Sequence, residues 1–349
     1  MRTVHCFGAG LVGSYVARKL AELGFRVHVH DLNPHEALKH PCLTTHTGNA
    51  LEVDLFEYGN VDLVVNMLPG ELGHDLNLRL SDGQWPIVDL SFSENTPDLH
   101  SREYERKGAR ILWDVGIAPG LSNMLLSEAS RRMGALSKVE IRVGGNPVNP
   151  EGEWKYMAPF SPKDVIAEYT RPARVIRDSR IVEIPALSER HIFSVEGRGD
   201  MEAFLTDGLR SVLTSIPAEE MSEYTVRWPG HIQKFIEERD RGNLDDEDLL
   251  LEWSFKHEKP EFTWMEVFAA DSEGGIMRWE ITDSGSGGDS SMARTTGLVT
   301  LGCILSWLKN PDMLPPGVHA PESLPRDVLV SILNLMRDNG VKVSGPEIS

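Results

Sequence analysis

Short apolar runs alternate with stretches of helical period through the first third of the chain. Residues 4–7 form a strand-like run, and Val12, Val16, Leu20 and Leu23 then fall on one face of a helix. The strand pattern returns at 26–31, 62–69, 87–90 and 110–114, with a polar helix predicted over 96–107. Strands separated by helices at this spacing predict a parallel, doubly wound α/β sheet. Beyond a helix predicted over 123–133 the texture changes. Residues 139–143 alternate with period two until Gly144-Gly145-Asn146-Pro147 breaks them, and 175–177 and 181–184 flank a hairpin turn at Asp178-Ser179. A second pair, 265–269 and 276–281, flanks a turn at 271–275. This middle part reads as a mixed, largely antiparallel sheet with a few helices, one of them opened by Ser161-Pro162-Lys163-Asp164. Residues 283–291 are rich in glycine and serine and read as a mobile loop. An apolar helix follows over 293–308, and a last helix over 325–338 closes at Asn339-Gly340.

The first strand runs into Gly8-x-Gly10-x-x-Gly13 and then a helix. In a dinucleotide fold Gly8 allows the tight turn, Gly10 lets a pyrophosphate approach the backbone, and Gly13 lets helix pack on strand. Free N–H groups at the helix start, at Leu11 and Val12, would hold the phosphates. The second strand ends in Asp31, where a carboxylate accepts from a ribose 2′-hydroxyl and repels a 2′-phosphate. No arginine follows in Leu32-Asn33-Pro34, so the expected cofactor is NAD, with NADP less favoured. Ligands of such sheets sit beyond the strand C-terminal ends. Asn66, Leu68, Asp89, Asp114 and Pro119 are therefore site candidates by position, the first two and Asp89 and Pro119 on the cofactor side. A turn or helix-cap role is the alternative for Asn66, Asp89 and Asp114.

At 349 residues the chain has length for two domains with real cores. The formal net charge of −18 argues against a nucleic-acid partner, since phosphate binding needs a basic face. No apolar run reaches membrane-spanning length, and no membrane partner is expected. The chain enters a strand almost at once, so no signal peptide is expected. Cys6, Cys42 and Cys303 lie far apart with no C-x-x-C pair, which points to a reducing compartment, read as cytoplasmic, and away from structural zinc. His28, His30, His35, His40 and His46 cluster in sequence without the carboxylate or cysteine spacing that completes a metal site, and the acidic run 245–248 reads as a solvated loop; no metal is expected.

The chain resembles the saccharopine dehydrogenase-like oxidoreductases, and most the lysine 6-dehydrogenase branch. The resemblance rests on residues 8–13, Val64-Val65-Asn66, Val88-Asp89-Leu90, residues 114–120, Val143-Gly144-Gly145, Glu202-Ala203-Phe204-x-Thr206-x-Gly208, Thr225-x-Arg227-x-x-Gly230-His231 and Met292-Ala293-Arg294. It implies a Rossmann NAD-binding domain over 1–122, an inserted α+β catalytic domain over 123–291, and C-terminal helices over 292–349 returning to the Rossmann domain. It also implies NAD(P)-dependent oxidation at a carbon bearing nitrogen, of a small amino-acid or amine substrate. The departure is Thr206-Asp207-Gly208-Leu209-Arg210-Ser211, where the branch has a Gly-Gly-x-Ser-like segment; the added carboxylate and guanidinium would alter what binds.

Oxidising an amine requires its ammonium to lose a proton first, so a base must be in reach, and a fixed donor must orient the substrate. Arg227 and Arg210 are the carboxylate clamps, because guanidinium grips carboxylate in bidentate fashion; a surface ion pair is the alternative for each. His231, at a helix start, is the candidate general base or else a cap. Asp114 and Asp207 are candidates for taking a proton or holding a substrate ammonium, with Thr206 beside them in the substrate set. His74, after the third strand's exit loop, is placed to touch nicotinamide or substrate, or is a plain loop histidine. The reactions in view are lysine 6-dehydrogenase-like deamination, a saccharopine- or carboxynorspermidine-type (opine-like) dehydrogenase, and a non-catalytic NAD-binding sensor. The apolar helix 293–308 suggests a homodimer or higher oligomer.

Overall fold

The computed structural model describes residues 1–35, 38–159, 162–244 and 247–348. In chain order the first strands are β1 (Thr3–Phe7), β2 (Arg26–Asp31), β3 (Leu43–Thr47), β4 (Leu63–Asn66), β5 (Pro86–Asp89) and β6 (Arg110–Leu112). Then come β7 (Leu136–Pro147), β8 (Ala173–Arg177), β9 (Arg180–Ile184), β10 (His191–Val195), β11 (Gly199–Leu205) and β12 (Ala218–Arg227). The last four are β13 (Glu261–Ala270), β14 (Ile276–Asp283), β15 (Gly317–His319) and β16 (Lys342–Ser344). The helices are α1 (Leu11–Glu22), α2 (Gly70–Leu80), α3 (Ser101–Lys107), α4 (Ser122–Met133) and α5 (Pro162–Thr170). They continue with α6 (Val212–Ser215), α7 (His231–Arg241), α8 (Glu247–Glu252), α9 (Ser291–Lys309) and α10 (Arg326–Asp338).

The chain divides into two compact units, residues 1–121 with 293–336, and residues 122–292 with 337–349. The first holds a parallel sheet in the order β15-β6-β5-β4-β1-β2-β3. Every residue of β1 and β4 is buried, as strands covered on both faces must be. The strand order reverses between β1 and β4, which is where such sheets open a crevice for ligands.

Helix α9 crosses this unit. Ala293, Leu298, Val299, Leu301, Cys303, Ile304 and Trp307 on it are all buried. Two glycines set how closely it packs: a Cβ at Gly297 would come within 2.4 Å of Tyr15 in α1, and one at Gly302 within 2.3 Å of Ile332 in α10. The apolar surface that suggested an oligomer contact is therefore buried inside the chain, and the homodimer expectation loses its basis.

The second unit is built on a mixed sheet, β10-β11-β12-β7-β13-β14-β16, with β8 pairing β12 and β9. Among the described residues only β12 and β7 run parallel in it; the other pairs are antiparallel. The predicted hairpin at Asp178-Ser179 forms, both residues taking positive φ, 50° and 60°.

Three expectations need correction. The glycines at 144–145 do not end β7, which continues to Pro147 against β13. A Cβ on Gly144 would lie 2.2 Å from the Val226 carbonyl oxygen, so glycine here permits close strand approach. Residues 283–291 are tied down rather than loose. Ser286 and Asp289 form a bridge, and Ser291 donates from its N–H to Glu261 at 2.6 Å. Residues 337–349 join the second unit, not the first, because β16 extends the second sheet beside β14. The expected cap at Ser161 and the residues 245–246 of the acidic run lie outside the described residues; Glu247 begins α8. No described helix is long and apolar enough to cross a membrane.

Candidate functional site

At the crevice of the first sheet the glycine loop has the geometry of a phosphate cradle. Gly8 has φ +96°, a value L side chains rarely adopt, and a Cβ there would sit 2.7 Å from the Met67 carbonyl oxygen. A Cβ on Gly13 would sit 2.2 Å from the Gly8 carbonyl oxygen. Gly10 is the contrast: nothing lies within 4 Å of its Cβ position, so the space in front of it is open. Gly10 is also the N-cap of α1 and supplies no side-chain cap, which leaves the N–H groups of Leu11, Val12 and Gly13 outside the helical ladder. Asp31 closes the cradle from β2. Its carboxylate accepts from the Ala9 N–H and the Asn33 N–H, each at 2.7 Å, and retains lone pairs for a hydroxyl donor.

Asn66 is corrected from cofactor contact to scaffold. Its Nδ2 donates to the Gly73 carbonyl at 2.8 Å and to Asn77 Oδ1 at 2.9 Å, and its Oδ1 accepts from the Leu68 N–H. These bonds use both of its amide hydrogens and fix the loop that carries Leu68, whose side chain is in the core. Asp89 is likewise sealed, 1% exposed, and accepts from the N–H and hydroxyl of Ser91. Burial pushes its carboxyl up to about 7, against the pull of those bonds, and the charge of Asp114 acts in the same sense as burial. Asp114 is buried in positive φ, 56°, and Pro119, half-buried, follows a cis peptide from Ala118. His74 lies on α2 rather than in a loop and is buried with its ring 5.5 Å from that of His100.

The histidines do gather, but not around a point. His5, His28, His30 and His46, from three neighbouring strands, stack with centroids 4.7 to 5.3 Å apart, and Tyr58 stands edge-on to all four. Their nitrogens pair with each other, His5 Nδ1 with His30 Nε2 and His28 Nδ1 with His46 Nε2. Burial lowers His5 and His30 to about 3, so the stack is neutral. Among the described residues no group of three such side chains is placed to hold a metal.

In the second unit, alternation along β12 puts Glu223, Thr225 and Arg227 on one face and Tyr224 and Val226 on the other. Tyr224 and Val226 join one apolar core; the Arg227 side meets Trp154, Tyr156, Tyr169 and Trp253 of another. Arg227 is 2% exposed, with Cζ 4.7 Å from the Tyr156 ring centre. Its Nε donates to Tyr169 Oη at 2.7 Å and its Nη1 to the Val226 carbonyl. No carboxylate among the described residues reaches ion-pair distance of it. Burial opposes its charge, while the flanking phenols and Glu168 favour it strongly enough to keep it protonated.

His231 opens α7 as predicted from its place after Gly230, but the structure makes it an anchor for this box. It is fully buried; its Nδ1 donates to the Trp154 carbonyl at 2.9 Å, which leaves Nε2 as acceptor of the Tyr169 hydroxyl at 3.2 Å. Burial, and then the Arg227 charge, lower it to about 3. An imidazole sealed in aromatics and held neutral is not a general base open to substrate, which corrects that expectation. The Tyr156 hydroxyl, also buried, has no well-formed hydrogen bond among the described residues and lies close enough to the Arg227 guanidinium to feel its charge.

Thr206 lies opposite Glu223, just past the end of β11, and meets two partners. Its Oγ1 is 2.6 Å from Glu223 Oε2 and 2.8 Å from Thr225 Oγ1, and Thr225 Oγ1 is 2.6 Å from Glu168 Oε1. Gly208 is required here, because a Cβ on it would fall 2.5 Å from the Glu223 carboxyl. Asp207 points elsewhere: both its oxygens take the Arg174 guanidinium, at 2.9 and 2.8 Å, and one also takes the Arg174 N–H. That ion pair removes it as a proton acceptor or ammonium holder, and the carboxylate that distinguished 206–211 is neutralised. Arg210 is buried with positive φ, 55°. Of the sequence candidates, Thr206, Arg227 and His231 share this cluster. Glu168, Tyr156, Tyr169 and Glu223 are additions. Glu223 was within reach of the sequence, two residues before Thr225 on the same strand face; α5 and residues 154–156 carry no local signal that they cover that face.

A model of the saccharopine dehydrogenase C-terminal domain matches residues 116–341. Saccharopine dehydrogenase (L-Glu forming) from Saccharomyces cerevisiae superposes with a TM-score of 0.72 at 15% identity, covering 99% of this chain and 100% of that one. Homospermidine synthase from Legionella pneumophila, in complex with NAD, gives 0.71 at 13% identity, covering 99% and 91%. DAP dehydrogenase of C. glutamicum, in complex with DAP, gives 0.51 at 10% identity, covering 94% and 95%.

Proposed function

The chain belongs to the saccharopine dehydrogenase C-terminal domain family, and from that premise we propose that it is an NAD-dependent oxidoreductase acting on a CH–NH or CH–NH2 group of an amino acid or amine. The observation that carries this reading is Arg227: a buried guanidinium, with no carboxylate partner among the described residues, beside a Tyr156 hydroxyl that also lacks one. A buried guanidinium whose charge no carboxylate meets, and a buried hydroxyl without an acceptor, are costly unless an anionic group of a substrate completes them. The carboxyl groups of Glu168 and Glu223 near by suit the cationic nitrogen of the same molecule.

When bound, NAD supplies the hydride acceptor. Gly8, Gly10 and Gly13 and the free N–H groups of Leu11 and Val12 would hold its pyrophosphate, and Asp31 its ribose hydroxyl. The NAD in the homospermidine synthase complex is consistent with this assignment. Arg227 and Tyr156 then bind and orient the substrate carboxylate. The aromatic box excludes water from it, and a carboxylate of the second unit takes the ammonium proton that must leave before the carbon can lose hydride. The reaction read first is lysine 6-dehydrogenase-like: the terminal amine becomes an imine, water releases ammonium, and the semialdehyde cyclises. A saccharopine- or carboxynorspermidine-type reaction on a secondary amine is the second reading, supported by the likeness to saccharopine dehydrogenase and homospermidine synthase.

The test is NAD reduction, followed by NADH absorbance, against lysine, ornithine, saccharopine and carboxylated polyamines. Turnover of lysine alone selects the first reading, and of the secondary amines the second. NAD binding without turnover of any of them reduces the protein to a non-catalytic NAD-binding one.

A further inference from the structure

We propose that Glu223, Thr206, Thr225 and Glu168 form a relay that holds one carboxylic proton and passes it between its two ends. The argument is a count of hydrogens. The chain of four side chains contains three oxygen–oxygen contacts, at 2.6, 2.8 and 2.6 Å, all within hydrogen-bond range. Each contact needs a hydrogen, and a hydroxyl carries only one. Two threonines supply two. If both donate outward to ionised carboxylates, the Thr206 and Thr225 oxygens face each other with no hydrogen between them. The third proton must therefore sit on a carboxyl group.

Two arrangements satisfy all three contacts. In one, Glu223 donates to Thr206, Thr206 to Thr225, and Thr225 to ionised Glu168. In the other, every bond is reversed and the proton sits on Glu168. A shift of the three hydrogens, each along its own hydrogen bond from Glu223 to Thr206, Thr206 to Thr225 and Thr225 to Glu168, breaks three O–H bonds, forms three, and converts one arrangement into the other, so a proton crosses the chain without any heavy atom leaving its place. The groups facing Glu223 agree with this. Burial, then the charges of Glu168 and Asp207, raise it to about 8, opposed by Thr206 and the Gly208 N–H. Asp207 is itself held by Arg174. The Glu223 end is 3% exposed, while Glu168 is half-buried and its Oε2 takes no hydrogen bond among the described residues.

The relay carries one negative charge and can take one further proton. In the amine oxidation proposed above, on which this use of the relay rests, the substrate N–H bond breaks and an O–H bond forms at Glu168. The ammonium becomes an amine with a free lone pair and the relay becomes neutral; the proton then leaves from the Glu168 end to water. No oxidant enters this step.

The proton store can be tested without substrate or cofactor, so its failure is separate from failure of the oxidation reading. The full chain is labelled with ¹³C at glutamate side-chain carboxyls, and infrared spectra of the wild type and Glu223→Gln are subtracted at pH 7. Loss of a neutral carboxylic C=O band is expected; loss of an ionised carboxylate band overturns the proposal. Transfer to D2O should shift that band rapidly in the wild type, and roughly tenfold or more slowly in Thr206→Val, where the chain is cut. An equal rate in both removes the relay. If Glu223→Gln does not fold, Glu168→Gln serves: the neutral band should titrate at lower pH once the Glu168 charge is gone, and an unmoved titration overturns the coupling.

Discussion

The Nε of Arg227 donates to the hydroxyl of Tyr169 at 2.7 Å, and that hydroxyl is passed on to His231 at 3.2 Å. Tyr169, from a helix 58 residues before Arg227, thus ties Arg227 and His231 into one unit, and with one Nη1 hydrogen on the Val226 carbonyl the rest of the guanidinium fork is left for an anion. Arg227→Ala should raise KM for the true substrate while NAD affinity, measured by calorimetry, stays the same. A lost charge-assisted pair is worth about 1.5–3 kcal/mol, hence roughly ten- to hundredfold. An unchanged KM removes Arg227 from the substrate site. Arg227→Lys should not restore the wild-type value, since an ammonium cannot hold Tyr169 and a carboxylate in the same geometry.

His231 acts through packing and hydrogen bonds, so its removal should be read first in stability. His231→Ala leaves the Trp154 carbonyl and the Tyr169 hydroxyl unmatched in a buried box, at a cost on the order of 2–5 kcal/mol. Urea denaturation measures this. A variant of wild-type stability whose kcat falls and whose pH profile loses a limb would return His231 to the role of base.

Stability should fall as pH rises from about 6.5 to 8. Glu223 has its native value raised from 4.5 to about 8, and Asp89 from 3.8 to about 7, so in this window the native protein binds protons that the unfolded chain has already released. The buried histidines, lowered from 6.5 to about 3, act the other way, an effect that fades as pH rises through 6.5 and the unfolded chain releases the protons it had taken up. Each unit of separation between native and unfolded values is worth about 1.4 kcal/mol. Thermal melts across the window should show the decline, and Glu223→Gln should flatten most of it. A melting temperature independent of pH in the wild type contradicts the raised values.

The glycine loop separates binding from folding. Gly10 has ordinary φ, −67°, and open space at its Cβ position, so Gly10→Ala should fold normally and lose NAD affinity, because the added methyl enters the phosphate's space. Gly13→Ala must push a methyl to 2.2 Å from a backbone carbonyl and should lose stability as well. Paired melts and NAD titrations distinguish them; equal NAD affinity in Gly10→Ala and the wild type places the phosphates elsewhere.

Cofactor choice should follow Asp31. NAD should exceed NADP in kcat/KM, and Asp31→Ser should narrow the ratio by removing repulsion of the 2′-phosphate. That carboxylate also accepts the Ala9 N–H, so the variant should bind both cofactors somewhat more weakly. A wild-type preference for NADP sinks the assignment.

The sequence by itself determined the features that depend on neighbours along the chain. Buried parallel strands read as continuous apolar runs, the glycine spacing follows from the turn it must make, and the Asp178-Ser179 hairpin follows from its turn residues. His231 at a helix start was legible for the same reason, as was the side-by-side placing of Thr225 and Arg227 on a strand of period two. What the tertiary structure alone decided is the partner of each polar group. Asp207 looked available until Arg174, 33 residues away, took both its oxygens. Asn66 looked like a ligand contact until Gly73 and Asn77 claimed its amide. Glu168 and Glu223 became chemically interesting only when α5 and β12 brought them to the ends of two threonines. Periodicity reports which face a side chain occupies; whether its charge is met, and so what it can do, depends on residues that only folding brings within 3 Å.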